Sequence, residues 1–201
     1  MPGTKLLTDY KRLNRLLQSG AVFCAFDTET TGLFPKQDRI IELGAVKFDK
    51  TGVLDTFNTL VNPEIPLPPV CRQISHITDE MVSAAPKIAS VLPDFLRFSE
   101  GCILLAHNAL FDIRFTDEEL KRSGLLPLKH QAIDTLNLSR WAYPANGHWK
   151  LQYLAEQFKI EVKAAHRACD DARVCMEVFL RCIRDTMDRQ KTVSLAEEAL
   201  L

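Results

Sequence analysis

Apolar positions along the chain fall into blocks whose spacing separates strands from helices. Between residues 5 and 18, Leu6, Leu7, Leu13, Leu16 and Leu17 recur among basic residues, which predicts a short amphipathic helix closed by Gly20. Residues 21–26 are a continuous apolar run, short enough for a buried strand. Strands over 39–48 and 53–61 follow, joined by Asp49-Lys50-Thr51-Gly52, a tight turn with its glycine. Prolines between 63 and 69 break the pattern, and helical spacing returns over 67–75, 78–83 and 86–98. A strand at 102–106 leads into a helix over 109–122. Ile133-Asp134 ends a fifth strand, and helices are expected over 135–140, 149–157 and 167–188. Three strands in a meander, then alternating strands and helices, predict an α/β fold with a mixed sheet flanked by helices.

The 201 residues, 46% of them apolar, suffice for one sizeable core and are few for two. Six cysteines form no C-x-x-C pair and lie mostly in apolar stretches, as reduced core thiols of a cytosolic protein do. The N-terminus has no signal-like apolar region, and no run approaches the ~20 residues of a membrane span. A soluble, cytoplasmic protein without a membrane partner is expected. The net charge of −1 offers no basic surface to a polyanion, although bound cations can supply positive charge locally.

Candidate chemistry gathers where apolar elements end. Asp27 and Glu29 emerge at the end of the first buried run, and two-residue spacing puts both on one side of a strand. A carboxylate at that depth must be paired, hydrogen-bonded or metal-bound, unless the triplet is acidic turn chemistry. In His107-Asn108-Ala109-Leu110-Phe111-Asp112, Asp112 falls in a first helical turn, where an acid also suits the dipole. Asn108 there reads equally well as an N-cap. The third stretch, Ala165-His166-Arg167-Ala168-Cys169-Asp170-Asp171-Ala172, poses a choice. If the helix already includes His166, then His166 and Asp170 share a face as i and i+4. If His166 sits in the preceding loop, Asp171 is the site residue and Asp170 turns to solvent or backbone amides. Three acidic clusters at the edges of apolar elements are hard to explain as three independent caps. His130 and His148 have no such context and read as surface or loop histidines.

Asp27-Thr28-Glu29-Thr30-Thr31-Gly32-Leu33, His107 to Asp112, and His166 to Ala172 together resemble the three motifs of the DEDDh group of DnaQ-like 3′–5′ exonucleases, in order and separation. Residues 38–46, Asp134-Thr135-Leu136, and Ile77-Thr78-Asp79-Glu80-Met81-Val82 with Pro86 resemble the family's second strand, mid-domain turn and substrate-side helical loop. The resemblance implies a ribonuclease H-like fold, a mixed five-stranded sheet flanked by helices. It divides the chain into an N-terminal helical extension (1–20), an exonuclease domain (21–185) and a C-terminal tail (186–201).

The same resemblance implies release of nucleoside 5′-monophosphates from DNA 3′ ends, in proofreading or repair. Asp27, Glu29, Asp112 and Asp171 would hold two divalent ions, Mg²⁺ or Mn²⁺, and His166 would be the general base. Oxygen-only ligands suit these hard cations, and an imidazole with an ordinary pKa of about 6.5 accepts a proton near neutrality. The family spacing, histidine then acid five residues on with alanine following, selects Asp171. Substrate contacts would come from Thr28, Thr30, Leu33, Asn108 and Phe111. Ser75-His76 departs from the family's usual histidine–glycine pair. Single-stranded DNA or frayed 3′ ends are the implied substrate, and a DNA polymerase or sliding clamp is a candidate partner. Gln190-Lys191-Thr192-Val193-Ser194-Leu195 faintly resembles a clamp-binding peptide. Thr30-Thr31-Gly32 favours DNA over an RNA-trimming alternative. A catalytically silent module on the same fold is the third reading.

Overall fold

In this computed structural model, which describes residues 3–198, the first buried apolar run becomes the centre of the sheet. That strand, β2 (Phe23–Thr30), runs parallel to β5 (Ile103–Ala106) and antiparallel to β3 (Ile40–Asp49). β4 (Gly52–Leu60) pairs antiparallel with β3 at one edge. On the other side β6 (Gln131–Asp134) runs parallel to β5 and carries β1 (Lys5–Leu6). The order β1-β6-β5-β2-β3-β4 gives six strands among the described residues, one more than the five expected.

The extra strand corrects the reading of residues 5–18 as one helix. Lys5 N–H donates to the His130 carbonyl and Leu7 N–H to that of Ala132 (3.1 and 2.7 Å), so this segment extends the sheet. Two residues cannot display a period of two, and the pairing is made by backbone that side-chain patterning does not reveal. The helix proper, α1, spans only Leu13–Gln18.

Both faces of β2 are covered, which explains its unbroken apolar run. Phe23 and Ala25 face a core shared with α1, α6 (Thr135–Ala142), α7 (Leu151–Phe158) and the long α8 (Ala168–Glu198). Cys24 and Phe26 face α4 (Ile88–Phe98) and α5 (Ala109–Arg122). A smaller cluster of Ile41, Leu67, Cys71, Ile77 and Val82 seats α2 (Pro69–Ser75) and α3 (Asp79–Ser83). All six cysteines are free thiols, five of them buried.

α8 continues to Glu198, whereas the sequence predicts a tail from Gln190. Residues 189–198 contain neither glycine nor proline, so nothing in the sequence stops the helix. Side chains from 190 onward, including those of the clamp-like stretch, lie outside the described residues.

Leu13 is buried in the same cluster as Phe23, Phe48 and Phe179, so the N-terminal segment belongs to the core. Leu13→Ala should therefore cost about 2–5 kcal/mol in urea unfolding, as buried leucine truncations do. A loss under about 0.5 kcal/mol, typical of surface sites, would show a detachable extension instead.

Candidate active site

β2 outruns β5. Their pairing ends at Ala25–Leu105, leaving the following β2 backbone open on that side. α5 fills the gap. Asn108, in the left-handed conformation (φ +71°), turns the chain from β5 into α5 and makes no side-chain cap bond. One helical turn later, buried Asp112 Oδ1 accepts from both the Thr28 amide (3.0 Å) and the Thr28 hydroxyl (2.8 Å). Thr28, expected to touch substrate, is buried and positions Asp112.

On the opposite face of β2, Asp27 stands across from Gly44 and Glu29 across from Glu42 in the β2–β3 ladder. Like charges directly opposite destabilise a sheet unless something intervenes. Arg167 does so: its Nη2 donates to Glu42 Oε1 (2.8 Å) and its Nε to Oε2 (3.0 Å). The Ala168 amide adds a third bond to Glu42 Oε2 (3.1 Å). Beside this pair the first turn of α8 rests on bare backbone. A Cβ at Gly44 would come within 2.1 Å of the Cys169 nitrogen and 2.3 Å of the Ala168 carbonyl carbon.

That seat delivers the third motif. His166 lies in the loop before α8, exposed and left-handed (φ +59°). Its amide donates to Asp171 Oδ2 (3.1 Å), while Gln152 Nε2 on α7 donates to Asp171 Oδ1 (2.8 Å). A ring nitrogen of His166 and one carboxylate oxygen each from Glu29 and Asp171 lie within 4.8 Å of one another. Asp170 is employed elsewhere. Its Oδ2 accepts from the Lys163 and Ala164 amides (both 2.7 Å) and its Oδ1 from Arg173 Nη2 (2.7 Å). Adjacent on the helix, the two acids serve different ends: Asp171 faces Glu29, and Asp170 ties down the loop carrying His166.

Burial and mutual repulsion shape the electrostatics. Desolvation first, then Asp112, Glu29 and Asp171, push the Asp27 carboxyl well above its usual range. Desolvation with Asp171 and Glu42 lifts Glu29 to about 8, against a small opposing pull from Arg167. Burial raises Asp112 to about 7 although its bonds from Thr28 oppose it. Asp171 is also raised, chiefly by desolvation, with Gln152 and His166 pulling the other way. The donor set, four crowded carboxylates and one imidazole, fits divalent cations: positive charge between the acids removes what holds them protonated.

Leu33 is 72% exposed, and the Thr30 hydroxyl donates to the Gly32 carbonyl (2.6 Å). Phe111 is partly buried, its ring 4.8 Å from that of Phe115. Ser75 is buried and donates to the Cys71 carbonyl (2.9 Å), so it offers nothing to a sugar. His76 takes the left-handed backbone (φ +58°) to which a glycine is suited. His130 lies in a loop with Nε2 on the Ser99 carbonyl, and His148 is exposed in another. The sequence reading missed Glu42, Arg167, Gly44 and Gln152. An acid and a glycine inside an apolar strand are legible signals of a buried pair and a close backbone approach. Gln152 carries no signal.

A mixed sheet whose central strand brings acids to the starts of two helices defines a ribonuclease H-like nuclease. The model of the exonuclease family to which ribonuclease T gives its name matches residues 24–179. DNA polymerase III subunit epsilon of Treponema pallidum (strain Nichols) is 48% identical over 163 residues, covering 80% of this chain and 76% of that protein. The PolC-type DNA polymerase III of Caldanaerobacter subterraneus subsp. tengcongensis is 43% identical over 161 residues, 80% of this chain but only 11% of that protein. Among solved structures, exonuclease X in complex with 5′-overhanging duplex DNA superposes with a TM-score of 0.66 at 28% identity, covering 82% of this chain and 92% of that one. The chain belongs to the exonuclease family, within its DnaQ-like group, and is similar to epsilon subunits. The silent-module reading is set aside. No described helix is long and apolar enough to cross a membrane.

Raised carboxyl values fix the sign of a pH dependence. Between the ordinary carboxylate range and about 7 for Asp112 or about 8 for Glu29, the folded chain binds more protons than the unfolded one. Stability of the metal-free protein is therefore lost as pH rises through that window. In chelator, the unfolding temperature should fall between about pH 5 and about pH 8.5, and Asp27→Asn should flatten the fall. A constant unfolding temperature across that range in calorimetry would contradict the crowding.

Proposed function

We propose that the chain hydrolyses the terminal phosphodiester of DNA 3′ ends to release nucleoside 5′-monophosphates, with two divalent cations, Mg²⁺ or Mn²⁺, and His166 as general base. The supporting observation is the convergence of Asp27, Glu29, Asp112 and Asp171 beside the exposed His166 ring. Those four carboxylates would hold the ions, and their oxygen donors suit Mg²⁺ or Mn²⁺ better than Zn²⁺. When bound, the ions would supply Lewis acidity at the attacking and leaving oxygens. His166 takes the proton of the attacking water and, being exposed, returns it to solvent. Its amide bond to Asp171 keeps the ring beside the carboxylates. Leu33 and Phe111 would offer apolar surface to the terminal base, with Thr30 and Asn108 as further substrate contacts.

DNA is favoured over RNA by Thr30-Thr31-Gly32 and by the relatives. The Treponema protein is a DNA polymerase subunit, and the exonuclease X complex holds duplex DNA with a recessed end. We extend both to this chain as a proofreading role beside a replicative polymerase, acting on single-stranded or frayed 3′ ends. The backbone of residues 190–195 continues α8, so that stretch carries no clamp proposal.

Nucleotide release should stop in chelator and return with Mg²⁺ or Mn²⁺ but little with Zn²⁺; undiminished activity in excess chelator would rule out the two-metal mechanism. Labelled single strands should shorten from the 3′ end, and matched RNA should be cut more slowly. Asp27→Ala and Asp171→Asn should lower kcat by several orders of magnitude. Asp170→Asn keeps an acceptor oxygen for the loop and should retain most activity. His166→Ala should cost about 10²–10⁴-fold, the usual share of a general base, while sparing Mn²⁺ affinity more than Asp171→Asn does. Inactivity confined to Asp170→Asn would invert the assignment.

A further inference from the structure

We infer that a cavity beside the active site binds a backbone phosphate of the strand being degraded, upstream of its terminal nucleotide; the inference rests on the exonuclease reading. The cavity, of about 490 Å³, is bounded by Asn108, Arg140, His148, Trp149, Lys150 and Leu151 among others, and no acid among the described residues lines it. It adjoins the catalytic carboxylates on two sides. Leu151 precedes Gln152, whose amide holds Asp171, and Asn108 precedes the turn of α5 that carries Asp112.

Its chemistry is that of an anion site. Lys150 is exposed and meets no carboxylate among the described residues. Among the described residues Arg140 donates only to the neutral Asn137 Oδ1 (3.3 Å), with its guanidinium 5.9 Å from the centre of the Trp149 ring. The start of α7 adds the positive end of a helix: Lys150 provides no side-chain cap, and no acid occupies the first turn.

The walls are also held in place, so little ordering is needed on binding. His107 is buried. Its Nε2 faces the Trp149 carbonyl at 2.7 Å and must donate, leaving Nδ1 to accept from the Thr135 hydroxyl (3.0 Å). Desolvation lowers the imidazole's pKa, which keeps that neutral tautomer. Trp149 Nε1 in turn donates to the Tyr143 carbonyl (3.2 Å). The motif histidine before Asn108 thus acts as a positioning residue that pins the loop to the end of β5. In a chain of net charge −1, this cavity would add a cationic grip on a polyanion to whatever charge bound ions bring to the acidic centre.

The test compares Arg140→Gln, Lys150→Gln and the double variant with wild type. The substrates are a single strand of about ten nucleotides, the same strand recessed in a duplex, and the p-nitrophenyl ester of thymidine 5′-monophosphate, which has no upstream phosphate. In the double variant the ratio of single-strand to ester kcat/KM should fall about tenfold, mostly through KM. In an Asp27→Asn background, where the strand is not cut, the slope of log affinity against log salt should shrink by about 0.7 for each phosphate no longer gripped. An unchanged ratio and slope would overturn the inference, as would equal losses on strand and ester. A loss seen only on the duplex would assign the cavity to the complementary strand and overturn it equally. If wild type cleaves none of the substrates, the exonuclease reading fails, while the salt slope still decides the cavity.

Discussion

Carboxylates gathered at the end of β2 are short of water and close to one another, so each raises the cost of ionising the rest. Burial of one such group is expensive, and burial of several against mutual repulsion is tolerable only if they remain partly protonated or share cations. The surrounding structure is arranged to hold that unfavourable cluster rather than to relieve it. Thr28 stabilises charge on Asp112, Gln152 and the His166 amide stabilise it on Asp171, and Arg167 answers Glu42 one step from Glu29. Each helper is a neutral donor or a cation already paired elsewhere. None neutralises the cluster outright, which leaves the centre receptive to metal.

The Glu42–Arg167 pair decides where α8 begins. Removing one partner of a buried ion pair costs about 3–5 kcal/mol, less here because Arg167 remains about one-third exposed. Its larger consequence is geometric. The pair joins the beginning of β3 to Arg167, the residue after His166, so imidazole and Asp171 are fixed against the same strand that faces Asp27. Asp170 completes the arrangement from the other direction by tying residues 163 and 164 to the helix. The acidic centre and the basic cavity then share one framework, because α7 touches both.

Much of this was legible in the sequence because it is written in periodicity and spacing. The central strand, the helix over 109–122 and the loop placement of His166 follow from apolar runs and motif intervals. What escaped depends on backbone or on distant partners. β1 is two residues of main-chain pairing, and the end of α8 has no stop signal. The two bonds from Thr28 to Asp112 join residues 84 apart, a partnership that local spacing does not announce. Gln152 is one polar residue on an amphipathic helix, and only its distance to Asp171 distinguishes it. Glu42 and Gly44 were visible as anomalies in an apolar strand, but their partner lies more than a hundred residues on.

Gly44 bears no functional group, yet a single methyl there would occupy the space of the backbone at Ala168 and Cys169. The helix would have to lift, carrying Asp171 away from Asp27 and stretching the Glu42–Arg167 bonds together. In a mutational landscape scored for activity this glycine would rank with the acids, while in one scored only for folded yield it would stand apart from them, because removing a crowded carboxylate relieves repulsion. Most of β3 is held by side chains buried in the core, and at this one position it is held by the absence of a side chain.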